Sequence, residues 1–212
     1  MKKKLTAVAL VVCMLAIMVV GASLAYFTDK DEAENVFTVG NVDIVLTEPK
    51  WDEVGSKEAL EAYPGEALAK DPTVTNEGAN PCLVRVKVEW PTVPAVAGDW
   101  NYRNENYVID AVNEGWYAAE DGYIYYLKPL ATDEITAKPA FSAVVVPTSL
   151  TNDFSGTEYK IPVYAEAVQA QGVFASYSKL ADGIDTETVD AATGKTELQV
   201  VQEFFTTAFA AN

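Results

Sequence analysis

The residues with a recognisable chemical role in this chain are Ser23 and Ala25, at the positions that a signal peptidase reads before the bond it cuts. Three lysines precede an apolar run over residues 5–20, and small residues follow that run. A basic start, an apolar centre and a small-residue end make up a secretory signal. The spacing predicts a signal peptide over residues 1–25 and a mature chain that begins at Tyr26.

This leader has a second interpretation, as a membrane anchor that is not removed. Residues 5–27 are mostly apolar and long enough to cross a bilayer, which takes about 20 residues. The small residues before Tyr26 fit the cleavage pattern, so we favour removal. A lipid anchor at Cys13 does not fit, because Val11 and Val12 stand where small residues are needed.

Catalytic and metal-binding chemistry is limited by the absence of histidine from the whole sequence. Zinc sites built on histidine, Ser-His-Asp triads and Cys-His dyads are therefore ruled out. The sequence also contains no glycine-rich phosphate loop. These absences predict a protein that is not an enzyme and that needs no cofactor or metal ion.

Cys82 is the one cysteine left after removal of the leader, so the mature chain can form no internal disulfide. It stands at the entrance to an apolar segment, where we expect it to act as a small buried hydrophobic side chain. A reactive or intermolecular thiol is the alternative.

The charge balance excludes two classes of partner. The leader carries three of the 15 basic residues and no acidic ones, so the mature chain has 12 basic and 31 acidic residues, a net charge of 12 − 31 = −19. Such a chain repels nucleic acid and anionic lipid, and we expect neither as a partner. Half of the chain is hydrophobic, which indicates a folded core rather than disorder.

Alternating apolar residues indicate β-strands along most of the mature chain. In residues 83–90, valines alternate with Arg85 and Lys87, which predicts a strand with one buried face. Asp121-Gly122 lies between two aromatic segments and predicts a hairpin, since glycine accepts a positive φ. Further strands are predicted over residues 41–46, 69–75, 141–146 and 159–168; segments 69–75 and 83–90 would form a hairpin or cross between sheets.

Two segments have helical spacing instead. Residues 57–63 predict a short helix that Pro64 and Gly65 end. Residues 197–210 predict an amphipathic helix, because apolar side chains recur every three to four positions at Leu198, Val201, Phe205 and Phe209. The pattern as a whole predicts an all-β protein, an antiparallel β-sandwich with a few short helices that include this C-terminal one.

Two further groups of residues suggest ligand binding, and each has a simpler interpretation. An acidic loop over residues 182–187 could hold calcium but lacks EF-hand spacing, so we expect a solvated loop. A set of aromatic residues could form a carbohydrate- or surface-binding module, although packing in the core is the expectation we favour. That set is Trp100, Tyr102, Tyr107, Trp116 and Tyr117.

The sequence that follows the leader has an aromatic pair directly after the cleavage position, an acidic spacer, and an F-x-x-G-x-x-D motif over residues 37–43. This series of motifs resembles the TasA/camelysin family. Further matches are a P-G-E motif at residues 64–66 and an N-x-G motif at residues 76–78. Residues 80–86 and 121–126 look like the clostridial, BsaA-like branch of that family.

The resemblance implies a secreted structural protein of a Gram-positive bacterium, located in the extracellular matrix or at the cell surface. A SipW-type signal peptidase would cut the leader, and the mature chain would form biofilm matrix fibres. The implied fold is a jelly-roll-like sandwich in a single domain, residues 41–212. The implied partners are further copies of the chain, joined head to tail, the signal peptidase during export, and an accessory matrix protein.

The implied assembly mechanism is donor-strand exchange, in which the N-terminal arm, residues 26–40, completes the sheet of the next subunit. The apolar anchors of the arm would be Tyr26, Phe27, Val36 and Phe37. A freed arm can add to an open sheet edge, and a head-to-tail contact of this kind propagates as a filament. The alternatives are an arm that folds back on its own sheet or stays disordered, and, for the whole protein, a surface-binding module or a camelysin-like metallopeptidase.

Overall fold

The computed structural model describes residues 41–92, 99–106, 108–151, 156–171, 173 and 183–210. All of them belong to one compact unit, Gly40–Asn212. The predicted signal peptide and arm lie outside the described residues, and so do their site residues Ser23, Ala25, Tyr26, Phe27, Val36 and Phe37.

Strands dominate the described part of the chain, and all of their pairings are antiparallel. In chain order they are β1 Ile44–Thr47, β2 Ala67–Ala69, β3 Thr73–Asn76, β4 Cys82–Val88, β5 Asn101–Arg103, β6 Trp116–Ala118, β7 Tyr123–Tyr126, β8 Ala143–Val145 and β9 Val163–Gln169. The helical elements are a π-helical turn Trp51–Gly55, α1 Ser56–Glu58, a 3-10 turn Ala59–Glu61 and α2 Glu197–Phe209.

The strands form two layers around one main core. One layer is a four-stranded sheet in the order β6-β7-β4-β9. The other layer is divided into the pair β1-β3 and the three-stranded sheet β2-β8-β5. Side chains of β2, β3 and β8 meet those of β4, β6 and β7 in a single buried cluster. The predicted all-β sandwich is confirmed, with a divided second layer where a jelly roll has two continuous four-stranded sheets.

The faces of β4 were predicted correctly, but the exposure of one face was not. Val84 and Val86 point into the main core as expected. Arg85, predicted to face solvent, is only 4% exposed, because α2 covers that side of the sheet. The four-stranded sheet is therefore buried on both faces, by the sandwich on one side and by a helix on the other.

The predicted strand over residues 69–75 is in fact two strands. Pro72 separates β2 from β3, and the two strands belong to different sheets. Proline has no N–H for a sheet ladder, which explains the break at that point. Since β3 pairs with β1 while β4 pairs with β7 and β9, the segment after β3 crosses between sheets and does not form a hairpin.

The hairpin at Asp121-Gly122 is confirmed, with β6 and β7 paired on either side of it. Gly122 has a φ of +82°, the left-handed conformation that favours glycine there. The helical segment before β2 begins at Trp51 rather than near residue 57. Its start is held by the carboxylate of Asp71, which accepts the Lys50 N–H at 2.8 Å.

The C-terminal amphipathic helix is confirmed as α2. Thr196 and Gln199 form a reciprocal capping box at its start. Leu198, Val201 and Phe205 are buried against the outer face of the four-stranded sheet. Within the ranges that the structure describes, no helix combines the length and the apolar character needed to span a bilayer.

Candidate functional site

The edges of the sheets are the part of this fold that bears on assembly, because an edge strand presents unpaired N–H and C=O groups. The edge of β2 is covered by the preceding helical segment. The carboxylate of Glu58 accepts the Ala69 N–H at 3.4 Å, and the backbone of Gly55 lies against the Ala69 carbonyl. A Cβ atom on Gly55 would come within 2.0 Å of that oxygen, so the cover depends on glycine at this position.

The edges of β3 and β5 are covered by neighbouring loops. Backbone bonds join β3 to residues 133–136, among them Asn76 N–H to Glu134 O at 2.9 Å and Thr136 N–H to Val74 O at 2.9 Å. β5 is joined to Ile109 by a bridge at Arg103. The edge formed by β6 is short, at three residues. Each of these edges offers little room for another strand.

β9 is different, because it is a seven-residue strand at the end of the four-stranded sheet and pairs only with β4 among the described strands. The Glu89 N–H donates to Pro162 O, and the Ala170 N–H donates to Pro81 O. With the register of the ladder, these bonds show that even-numbered residues of β9 bond to β4. The backbone groups of Val163, Ala165, Ala167 and Gln169 therefore point away from β4, along the outer edge.

No described residue hydrogen-bonds to that outer edge of β9. The side chains of Val163, Ala165 and Ala167 face the main core and are only partly buried. An extended chain that added to this edge would place its own inward side chains beside two alanines, which leave room for larger groups.

β1 has a second edge of the same kind. The Glu77 N–H donates to Asp43 O, so odd-numbered residues of β1 bond to β3. The backbone groups of Ile44 and Leu46 therefore point away from β3. Cα atoms of β1 and β9 approach within 8 Å, although no strand pairing joins them. Two sheet edges thus meet, without pairing, at one corner of the sandwich.

The chain enters β1 through a set of contacts that we call the root clamp: Asn41 and Asp43 held by the turn Asn76–Ala79. The Asp43 carbonyl accepts the Glu77 and Gly78 N–H groups at 2.9 and 3.0 Å. The Asn41 side chain accepts the Ala79 N–H at 3.3 Å. Between Asn41 and Asp43, Val42 packs against the main core. The root clamp fixes the point from which the N-terminal arm departs.

Asn76 organises the turn side of the root clamp. It is fully buried, and its amide donates to Asn80 O at 3.0 Å and to Leu130 O at 2.9 Å. Its side-chain oxygen accepts the Gly78 N–H at 2.9 Å. Asn76 and Gly78 belong to the N-x-G motif and Asp43 to the F-x-x-G-x-x-D motif, so the fold brings two separate sequence motifs together.

Arg85 is the centre of a polar network beneath α2. Its guanidinium binds Glu166 on β9 at 2.6 Å and Tyr125 at 3.2 Å, and it lies 3.7 Å from the ring centre of Tyr123. Burial alone would lower the pKa of Arg85, but the bonds to Tyr125 and Glu166 outweigh burial and raise that pKa. The charge is therefore kept, and it ties the edge strand β9 to β4 and β7.

The predicted aromatic cluster does not form a surface platform within the described residues. Trp100 and Trp116 are buried, and Tyr102 stacks on Phe141 at 5.2 Å. Tyr117 is 40% exposed on β6, and Tyr107 lies outside the described residues. The expectation of core packing is confirmed for three of the five rings, which weakens the case for a carbohydrate-binding surface.

Cys82 is fully buried at the start of β4, as expected for a small hydrophobic side chain. Burial raises the pKa of its thiol from 9.0 to about 11, so the reactive thiolate is scarce at neutral pH. In the acidic loop, Asp185 accepts the N–H groups of Glu187 and Thr188 at 2.8 and 2.9 Å, so its carboxylate closes a local turn. Asp182 lies outside the described residues.

Residues 1–96 match the model of a protein family described as camelysin metallo-endopeptidase. This match supports the resemblance of the chain to the TasA/camelysin family. The matched range contains the leader, the arm, the root clamp and strands β1 to β4. The similarity supports a secreted, TasA-like matrix protein in general terms, and assignment to the clostridial branch stays a prediction. No curated protein matches the chain.

The description of the family implies a catalytic metal ion, which the residues of this chain do not fit. The sequence has no histidine. In the part of the chain that the structure describes, no group of three or more Cys, Asp or Glu side chains is arranged to hold a metal ion. Carboxylate-only sites favour calcium or magnesium over zinc, so the described residues provide no donor set for a zinc peptidase centre.

Proposed function

We propose that this protein is a secreted subunit of an extracellular matrix fibre, and that the outer edge of β9 receives the N-terminal arm of the preceding subunit. The observation that supports this most directly is the contrast between edges. Those of β2, β3 and β5 are covered by other parts of the described chain, whereas the outer edge of β9, the longest edge strand, has no described partner.

The chemistry of the β9 edge suits an extended peptide. Backbone groups of four residues point outward, and each can exchange two hydrogen bonds with an added strand. Such bonds give affinity without regard to sequence, while pockets beside alternate residues give register. The small side chains of Ala165 and Ala167, which pack against the same core cluster as Ile44 and Leu46 of β1, would accept apolar anchors from the incoming strand.

The arm has the composition that such an edge requires. Phe37 and Val39 recur at strand spacing, and Tyr26 and Phe27 supply two aromatic rings at the opposite end. The arm becomes free only if the leader is cut before Tyr26, so cleavage during export would start assembly. Because the arm would be freed only during export, subunits would not polymerise inside the cell. Processing by a SipW-type signal peptidase fits this sequence of events.

The contact is head to tail, because the arm of one copy meets β9 of another. Contacts of this type do not close on themselves unless the rotation between subunits forms a ring, so they extend as filaments. Members of the TasA family are generally non-enzymatic structural proteins, which agrees with the absence of a zinc donor set. A surface-binding module has less support, since most of its aromatic candidates are buried.

The test is assembly of the mature chain, beginning at Tyr26, followed over time by electron microscopy. We expect filaments from the full mature chain and none from a variant that lacks residues 26–38. Phe37→Asp should also block growth, because an unpaired charge is strongly unfavourable in an apolar groove. The free arm peptide should raise the melting temperature of the truncated subunit by mass action.

Two results would count against the proposal. Filaments of unchanged morphology from the truncated subunit would rule out donor-strand exchange. A persistent monomer of the mature chain that binds glycans would favour the surface-binding alternative instead. Val54→Asp serves as the matched control for Phe37→Asp, because Val54 is already 42% exposed on the helical segment and a charge there stays in water.

A further inference from the structure

The root clamp stands out because it holds Asn41 and Asp43, just before β1, with more hydrogen bonds than a simple connection into a strand requires. Three N–H groups of the turn Asn76–Ala79 donate to Asn41 and Asp43. The turn is itself pinned by the fully buried Asn76. Fixing a backbone segment costs conformational entropy, so a segment held this closely indicates that its direction matters.

The closeness of the contact depends on Gly78. A Cβ atom at that position would lie 2.7 Å from Asn41 O and 2.7 Å from Asp43 N, closer than real Cβ atoms approach backbone atoms. The close approach of the turn to the segment before β1 therefore requires glycine at position 78.

We propose that the root clamp fixes the angle at which the arm leaves each subunit and thereby sets the stiffness of the fibre. This inference rests on the proposed function. In a donor-strand filament, the only covalent link between the body of a subunit and the strand it donates is the chain that enters β1. When the root clamp is closed, the orientation of one subunit fixes that of the next. When it is open, successive subunits can rotate relative to one another.

The position of the clamp links it directly to the angle between successive subunits. The strand that it leads into, β1, lies within 8 Å of β9, where the preceding subunit's arm would bind. The strand that the clamp leads into and the proposed receiving edge of β9 thus lie close to one another. A change of angle at the clamp would therefore alter the angle between successive subunits directly, with no change needed in the rest of the subunit.

The deciding variant is Gly78→Ala, with Asn41→Ala as a milder second variant that removes only the bond to the Ala79 N–H. Both keep the whole arm and the β9 edge. The control is Gly122→Ala, which strains a positive φ in the distant β6–β7 hairpin and leaves the clamp untouched. Hydrogen exchange at the backbone amides of positions 77 and 78 reports whether the clamp has opened.

We expect Gly78→Ala subunits to fold, to accept the free arm peptide as wild type does, and to form filaments that are visibly more flexible. The readout is the persistence length traced on electron micrographs, which should fall for both clamp variants and stay unchanged for Gly122→Ala. If Gly78→Ala does not fold, Asn41→Ala decides.

Three outcomes would overturn the inference. Filaments with an opened clamp and an unchanged persistence length would show that the clamp does not set stiffness. Folded clamp variants that cannot polymerise would show that it is needed for donation itself. A wild-type chain that forms no filament would remove the proposed function, and the inference would fall with it.

Discussion

Ala165→Pro on β9 is expected to stop filament growth while leaving the subunit folded. The Ala165 N–H points away from β4, so its loss breaks no bond within the sheet. Proline is tolerated on edge strands when its missing N–H faces outward. The pyrrolidine ring would occupy the space that an added strand needs, and one donor of the new ladder would be missing.

The size of the effect follows from the ladder. Four outward residues of β9 with two bonds each can form eight bonds, which at about 1 kcal/mol net per bond stabilise the contact by about 8 kcal/mol. Proline in the second of these positions removes one bond and holds the added backbone away from its neighbours. A loss of about 3 kcal/mol corresponds to roughly a hundredfold weaker contact. We expect the stability of the isolated subunit to change by about 1 kcal/mol or less.

The matched control is Ala118→Pro on β6, the opposite edge of the same sheet. The Ala119 N–H donates to Tyr123 O, which places the Ala118 backbone groups on the outer side of that strand. Both variants therefore introduce the same residue at the same kind of edge position. The assay is the critical concentration for assembly, measured by sedimentation of filaments.

Ala165→Pro should raise the critical concentration by about a hundredfold. Ala118→Pro should leave it near the wild-type value. Urea unfolding of both subunits confirms that each is folded. If Ala165→Pro assembles as wild type does, β9 is not the receiving edge. If Ala118→Pro blocks growth and Ala165→Pro does not, the strand adds at β6, and the argument from edge length is refuted.

Four further predictions concern the subunit itself. Phe205→Ala should lower the free energy of unfolding by about 3–5 kcal/mol, because Phe205 of α2 is fully buried against the sheet. Phe204 is 37% exposed, so Phe204→Ala should cost less than about 1 kcal/mol in the same thermal melts. Burial raises the pKa of Cys82 to about 11, so the buried protonated thiol contributes fully to stability below pH 9, and this contribution is lost as the pH rises towards 11. Cys82→Ala should reduce this alkaline loss of stability in unfolding curves. The purified protein should hold no stoichiometric zinc and show no casein cleavage that a chelator blocks, and finding both would contradict our interpretation of the donor set. Intact mass of secreted material should give a mature chain that starts at Tyr26, and a start more than two residues away would refute the processing argument.

Local signals predicted the local elements of this fold. The turn at Asp121-Gly122 works through one glycine, and the helix over residues 197–209 follows from the spacing of its apolar residues. Each of these depends on residues within a few positions of one another, so one sequence suffices. The F-x-x-G-x-x-D and N-x-G motifs were also visible in the sequence, but their contact through Asp43 and Gly78 was not.

What the sequence could not show depends on which distant segments meet. The exposed-looking face of β4 is buried because α2, more than a hundred residues later, packs on it and encloses Arg85. The helical segment begins at Trp51 because Asp71, 20 residues further on, accepts its N–H group. The open edge of β9 is likewise set by pairing order, since any strand looks alike in sequence whether it is central or at an edge.

The distribution of covered and open edges also bears on how a strongly acidic chain can assemble. With a net charge of −19 in the predicted mature chain, subunits would repel one another, and a small or polar contact between surfaces would not hold them together. A whole strand added to β9 can overcome that repulsion, because it adds a backbone ladder and buries aromatic anchors at once. The same repulsion disfavours side-to-side contacts at the covered edges of β2, β3 and β5. High charge and a long open edge on β9 together therefore favour growth along a single direction, which is the geometry of a fibre rather than of an aggregate.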